Sequence, residues 1–168
     1  MLFKNSIEQI EQTKAIAVLL KERGATIATA ESCTGGLLAS FFTHLPGSSD
    51  WYLGGVSSYS NYAKIKLLGV QKEALDEYGA VSTEVAKMMA AGAARQLGSD
   101  YALSLTGIAG PGGGSEEKPV GMVCGGLFSP YGEKAIVYHL DGDREAIRAK
   151  AIAGIMGDFM ALLSSEKG

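Results

Sequence analysis

A chain of 168 residues, 46% hydrophobic and 20% charged, suits one compact domain able to bury a core without cross-links. Its 15 basic and 18 acidic residues leave a net charge of −3 and form no basic block, which argues against nucleic-acid or basic membrane-surface binding. There is no bilayer-length apolar run and no apolar signal core, and two scattered cysteines fit reduced thiols, so a cytoplasmic protein is expected.

A helix is predicted over 5–23. Ser6 and Gln9 give a capping-box pattern, with Asn5 able to cap one residue earlier, and Gly24 gives a left-handed stop. Ile7, Ile10, Val18 and Leu19 supply part of its apolar face. A strand at 26–30 runs into the turn Glu31–Gly36, which opens a helix lasting to about Leu45 before Pro46-Gly47. A strand at 51–59 is weakened by Gly54-Gly55. Asn61 can cap a short helix carrying Lys64, and a second short helix, 71–78, stops at Gly79. Ser82 caps a long helix to Leu97, with Glu84 in the first turn and Gly98 at its end.

Residues 101–106 form a strand leading into a glycine-rich run through Gly114. Strands at about 120–128 and 134–140 follow. Asp141-Gly142-Asp143 is a turn and cap for a last helix over 144–163, with a frayed tail from Ser164 to Gly168. Alternating elements imply crossovers, and the adjacent last strands imply a hairpin. The expected fold is therefore a single-domain, three-layer α/β/α sandwich with a mixed sheet.

Four segments carry candidate chemistry. In Ala30-Glu31-Ser32-Cys33-Thr34-Gly35-Gly36, a strand ends and hydroxyl residues meet a helix start, where outward amides favour an anion. Ser32 is a candidate nucleophile there, and the alternative is that Ser32 or Thr34 merely caps the helix. Cys33 is the rival nucleophile, or simply a small buried residue. The segment is not the Gly-x-Ser-x-Gly elbow. In the second segment Tyr59 ends a strand and Lys64 starts a helix. His44 sits at a helix end and His139 in a strand, so a lysine or tyrosine base is the natural candidate. The alternative for Lys64 is a solvated helix lysine.

The third segment, Thr106 to Gly114 with Gly107, Gly110 and Gly112, allows a backbone to approach an anion closely. It matches neither the phosphate loop of nucleotide hydrolases nor a dinucleotide-binding turn, and the alternative is a flexible surface loop. In the fourth, Arg144 and Arg148 share a helix face near its N-terminus and suit bidentate grip on a phosphate, or else a solvated face. Two histidines and two cysteines show no zinc-ligand spacing.

In this order these segments, with Gly79-Ala80-Val81-Ser82 and Lys118-Pro119-Val120-Gly121, closely resemble the C-terminal domain family of the competence/damage-inducible protein CinA. The resemblance spans about 8 to 163. Stand-alone members are nicotinamide-nucleotide amidohydrolases. The resemblance implies a mixed-sheet α/β/α fold, a homo-oligomer (dimer or tetramer) and no cofactor. It also implies hydrolysis of nicotinamide mononucleotide to nicotinic acid mononucleotide and ammonia.

Catalysis is thereby placed on Ser32, Tyr59 and Lys64. Substrate binding falls on Glu31, Cys33, Thr34, Gly35, Thr106, Gly107, Gly110, Gly112, Arg144 and Arg148. Lys64, tuned by Tyr59, is expected to take the Ser32 proton, with amides near Cys33 and Thr34 holding the oxyanion. The activity of the larger N-terminal domain found in some members is not expected of these residues. Many relatives have threonine and then an aromatic residue where this chain has Met122 and Cys124, which bears on the nicotinamide pocket. The alternative function is a non-catalytic nucleotide-binding module, or a regulatory domain in competence or DNA-damage response.

Overall fold

The computed structural model describes residues 6–166. Its middle layer is a five-stranded sheet in the order β2-β1-β3-β4-β5, built from β1 (Ile27–Glu31), β2 (Tyr52–Ser57), β3 (Tyr101–Gly107), β4 (Met122–Ser129) and β5 (Gly132–His139). β1 pairs in parallel with both β2 and β3, and β3, β4 and β5 form an antiparallel meander. β1 is buried at every position, as expected for a strand covered on both faces.

One face carries α1 (Ile7–Arg23), α2 (Leu37–Thr43) and α6 (Arg144–Ser165), packed around Ile16, Leu20, Phe41, Phe42, Ile152 and Phe159. The other carries α3 (Asn61–Leu68), α4 (Lys72–Tyr78) and α5 (Thr83–Leu97), packed around Leu68, Leu75, Val85 and Met89. Three layers with a mixed sheet are therefore observed. Gly24 and Gly98 adopt the left-handed conformation that closes α1 and α5, and Ser82 and Asp143 accept from Val85 N and Ala146 N to open α5 and α6.

The departures have local causes. The Ser6 side chain makes no cap bond, its backbone (φ −116°, ψ 33°) departing from the extended geometry of a cap, and the Gln9 side chain donates to the Ala149 carbonyl of α6 instead of reaching back. The Asn5 alternative lies outside the described residues. Ile7 and Val18 are exposed, and the buried face of α1 is Gln9, Thr13, Ile16, Ala17 and Leu20. Ser60, not Asn61, caps α3 by accepting from Ala63 N at 3.0 Å. α6 holds its hydrogen bonding through Ser165, so Ser164 and Ser165 are helical; residues 167–168 lie outside the described part.

The largest correction concerns α2. It starts at Leu37, because Gly35 (φ 59°) and Gly36 (φ 100°) hold two successive left-handed conformations. Such a pair cannot continue a right-handed helix and strains any residue with a Cβ. Ser32–Gly36 is thus a free-standing turn between β1 and α2.

Candidate active site

The C-terminal end of β1 delivers Ser32 to the rim of the sheet, and the bond from Ser32 N to the Leu105 carbonyl (2.9 Å) pins its main chain to β3. Glu31, the residue before it, is 1% exposed. Its carboxylate accepts from Gly36 N (3.1 Å), Leu38 N (3.0 Å) and Ala39 N (2.9 Å). A carboxylate there satisfies amides left open at the helix start and complements the helix dipole. Glu31 is therefore not available to a ligand, contrary to its expected binding role; it fixes the shape of the turn. The α2 amides it takes cannot serve an oxyanion either. The amides of Cys33 and Thr34 donate to no other described residue.

Lys64 projects from the first turns of α3 and is 1% exposed. Its Nζ lies 3.0 Å from Ser32 Oγ and 2.9 Å from the Ser58 carbonyl oxygen. No carboxylate among the described residues forms an ion pair with it. Burial pushes its pKa below the ordinary lysine value, against a smaller opposing pull from Cys33. An amine that gives up its proton more readily than usual can act as a general base toward a hydroxyl beside it. Burial raises the Cys33 thiol to about 11, so it is a protonated neighbour with poor nucleophilicity at neutral pH.

Tyr59 departs from its expected role. It is 66% exposed, and its hydroxyl accepts from Arg144 Nη2 at 3.3 Å instead of touching Lys64. The partner that Tyr59 was expected to supply is the main chain of Ser58. Ser58 N donates to the Glu31 carbonyl at 2.8 Å, which carries β1–β2 pairing one residue past the strand and sets the Ser58 carbonyl under the amine.

Arg144 Nη1 also donates to the Gly110 carbonyl at 2.9 Å, tying the start of α6 to the glycine-rich loop. Gly110 is buried with φ 80°, and its missing Cβ would meet Val120. Gly107 ends β3 where a Cβ would strike Val123 and the Met122 carbonyl. Gly112 is exposed with open space around it. Thr106, expected in the binding set, is 1% exposed and donates to the Ala80 carbonyl at 2.8 Å; it buttresses the loop from below.

Arg148 Nη2 donates to the Thr34 carbonyl at 2.8 Å, so its guanidinium is clamped to the Ser32–Gly36 turn beside Gly35. Its buried Nε has no partner among the described residues, and neither does the buried Thr34 Oγ1. Both arginines, with Leu37, Phe41, Glu145 and Ala149, line a cleft of about 490 Å³ between α2 and α6. Ser32 and Lys64 are not walls of this cleft; the bond from Arg148 to Thr34 joins the two regions. Leu37 and Phe41 were missed from sequence because apolar residues on a short helix read as core. Ser58 was missed because a main-chain acceptor has no residue signature.

Cys124 is fully buried in β4, its thiol raised to about 11 by burial, and Met122 is half-buried. His139 is exposed at the end of β5, and His44 follows α2, so neither histidine competes with Lys64 for Ser32. Among the described residues no group of three or more His, Cys, Asp or Glu side chains is placed to hold a metal. Among the described residues no helix is long and apolar enough to cross a membrane.

The comparisons agree with this architecture. The model of the CinA C-terminal domain matches residues 9–162. A CinA-like protein of Chloroherpeton thalassium is 62% identical over 112 residues, 67% of this chain and 27% of the relative. One from Geotalea uraniireducens is 51% identical over 147 residues, 88% of this chain and 34% of the relative. The chain thus spans about a third of the curated relatives it matches. The crystal structure of a competence/damage inducible protein from Agrobacterium tumefaciens superposes with TM-score 0.89 at 38% identity, covering 92% of this chain and 95% of that one. That of competence damage-inducible protein A from Klebsiella pneumoniae gives 0.91 at 31% identity, covering 95% and 99%. With the family model covering nearly every described element, the chain belongs to the CinA C-terminal domain family.

Proposed function

We propose that this domain is a serine amidohydrolase that converts nicotinamide mononucleotide and water to nicotinic acid mononucleotide and ammonia. The observation that carries the reading is the 3.0 Å contact between the sealed Lys64 amine and Ser32 Oγ. Lys64 takes the hydroxyl proton as Ser32 Oγ bonds to the carboxamide carbon. The Cys33 and Thr34 amides stabilise the oxyanion, an arrangement in which each donor is worth about 3–4 kcal/mol of barrier. The proton passes to the departing nitrogen, the C–N bond breaks and ammonia leaves. Lys64 then takes a proton from the water that attacks the acyl carbon and returns it to Ser32 Oγ as the ester bond breaks.

Arg144 and Arg148 suit the 5′-phosphate, with the cleft walls of Leu37 and Phe41 beside it. Anchoring the distant phosphate holds the ring over Ser32, an orientation effect that supplies a large share of acceleration. The domain acts as a homo-oligomer in the cytoplasm in this reading.

The test is ammonia release from nicotinamide mononucleotide. Ser32→Ala is expected to lower turnover by roughly a thousandfold or more while keeping nucleotide binding. Full activity in that variant transfers the role to Cys33, and Cys33→Ala then decides. Nucleotide binding by the wild type without ammonia release from any pyridine nucleotide establishes the non-catalytic binding module instead.

A further inference from the structure

Ser58 is 0% exposed, and its Oγ is buried with no hydrogen-bond partner among the described residues. A buried hydroxyl left unsatisfied is destabilising, so its presence calls for an explanation. Its location is specific. The same residue is bonded through N–H to Glu31, next to the nucleophile, and through its carbonyl to Lys64 Nζ. It continues the alternation of β2 beyond Val56, which packs with the α5-side core that α3 also joins.

The hydrogen-bond inventory of Lys64 changes during the proposed reaction. As a neutral amine it has two N–H donors and one lone pair. The lone pair faces the Ser32 hydroxyl, and one N–H faces the Ser58 carbonyl. As an ammonium it has three N–H donors. Two of these have acceptors at 3.0 and 2.9 Å, Ser32 Oγ and Ser58 O. The remaining N–H, which the neutral amine also carries, has no acceptor among the described residues. Only Cα and Cβ stand between the Ser58 carbonyl carbon and its Oγ, so one torsion, χ1, sets how near the hydroxyl lies to the amine held at that carbonyl.

We propose that Ser58 is a positioning residue whose buried hydroxyl accepts the third N–H of Lys64 while the Ser32 proton resides on the amine. The inference rests on the Ser32–Lys64 reading and deepens it. When Ser32 Oγ bonds to the acyl carbon, its O–H bond breaks and a Lys64 N–H bond forms. The new ammonium donates to Ser58 Oγ without transferring a proton to it. When the carbon–nitrogen bond breaks, the proton goes to the departing nitrogen, the amine becomes neutral and the Ser58 hydroxyl is released. The neutral amine carries this N–H as well but donates it weakly; the charge gained in turnover strengthens the bond enough to turn the hydroxyl to it.

The experiment compares wild type, Ser58→Ala and Ser58→Thr in three measurements. The first is ammonia release. The second is thermal unfolding. The third is the pH dependence of Ser32 labelling by a fluorophosphonate, read by intact mass, which reports Lys64 deprotonation without using the nucleotide. Ser58→Ala removes an unsatisfied group, so its unfolding temperature is expected to equal or exceed that of wild type. Loss of an acceptor for the charged form lowers the Lys64 midpoint, by about one pH unit, and kcat falls roughly ten- to a hundredfold with little change in KM. Ser58→Thr restores the midpoint.

A wild-type midpoint and kcat in Ser58→Ala overturn the proposal. So does a fall in unfolding temperature with an unmoved midpoint, which makes the hydroxyl a packing group. Should nicotinamide mononucleotide fail as substrate while Ser32 still labels, only the substrate assignment falls, and the midpoint shift still decides the role of Ser58.

Discussion

A lysine amine that is 1% exposed and lacks a carboxylate partner holds a charge that its surroundings resist. The consequence reaches both activity and stability. Activity is expected to rise with pH along a limb whose midpoint lies below the ordinary lysine range, since only the neutral amine accepts the Ser32 proton. The stability effect has the same sign. Between the lowered folded value and the ordinary unfolded one, the unfolded chain binds more protons, so the fold gains stability as pH rises through that window. Lys64→Met is expected to lose turnover and, in urea titrations across the same window, to lose this pH-dependent gain. Lys64 was legible as a candidate because the histidines are few. Its protonation state was not legible, because burial depends on how α3 packs against α5 and β2, which no local pattern encodes.

At the scale of elements, the nucleophile turn owes its form to Glu31 and two glycines. Glu31→Ala leaves three amides at the start of α2 without their acceptor. The expected loss is about 2–4 kcal/mol, measured by denaturant unfolding, and it exceeds that of an ordinary helix cap because the site is buried. Caps carried by a residue and its immediate neighbours were readable in advance, as with Gly24, Ser82, Gly98 and Asp143. The start of α2 was not. Its acceptor belongs to the preceding strand, five to eight residues before the amides it satisfies. Gly35-Gly36 also reads equally well as a helix entry or as a left-handed break. The same gap between local and spatial neighbours misassigned Thr106, which reads as part of the loop that it supports.

Across the whole molecule, β1, α3, the glycine-rich loop and α6 each bring one part of the site to a single rim of the sheet. Arg144 spans two of them, through Tyr59 and Gly110. Arg144→Ala is expected to raise KM for nicotinamide mononucleotide roughly ten- to a hundredfold while scarcely affecting hydrolysis of the riboside, which lacks the phosphate; initial rates of ammonia release on the two substrates test it. The segment order that carried the family resemblance was visible because each part keeps its own short motif. The cleft between α2 and α6 was not visible, because its walls come from helices far apart in the chain.

β1 also has an order-of-assembly consequence. The meander β3-β4-β5 joins neighbours along the chain, whereas β1 is held between β2 and β3, the latter some seventy residues downstream. Closing that loop is entropically slow compared with forming the hairpins. Lys64 arrives with β2 and α3, but the bond from Ser32 N to the Leu105 carbonyl is made only when β1 docks on β3. A chain in which only β1 and β2 have paired can hold Ser32 near Lys64 and still lack the β3 anchor of the turn.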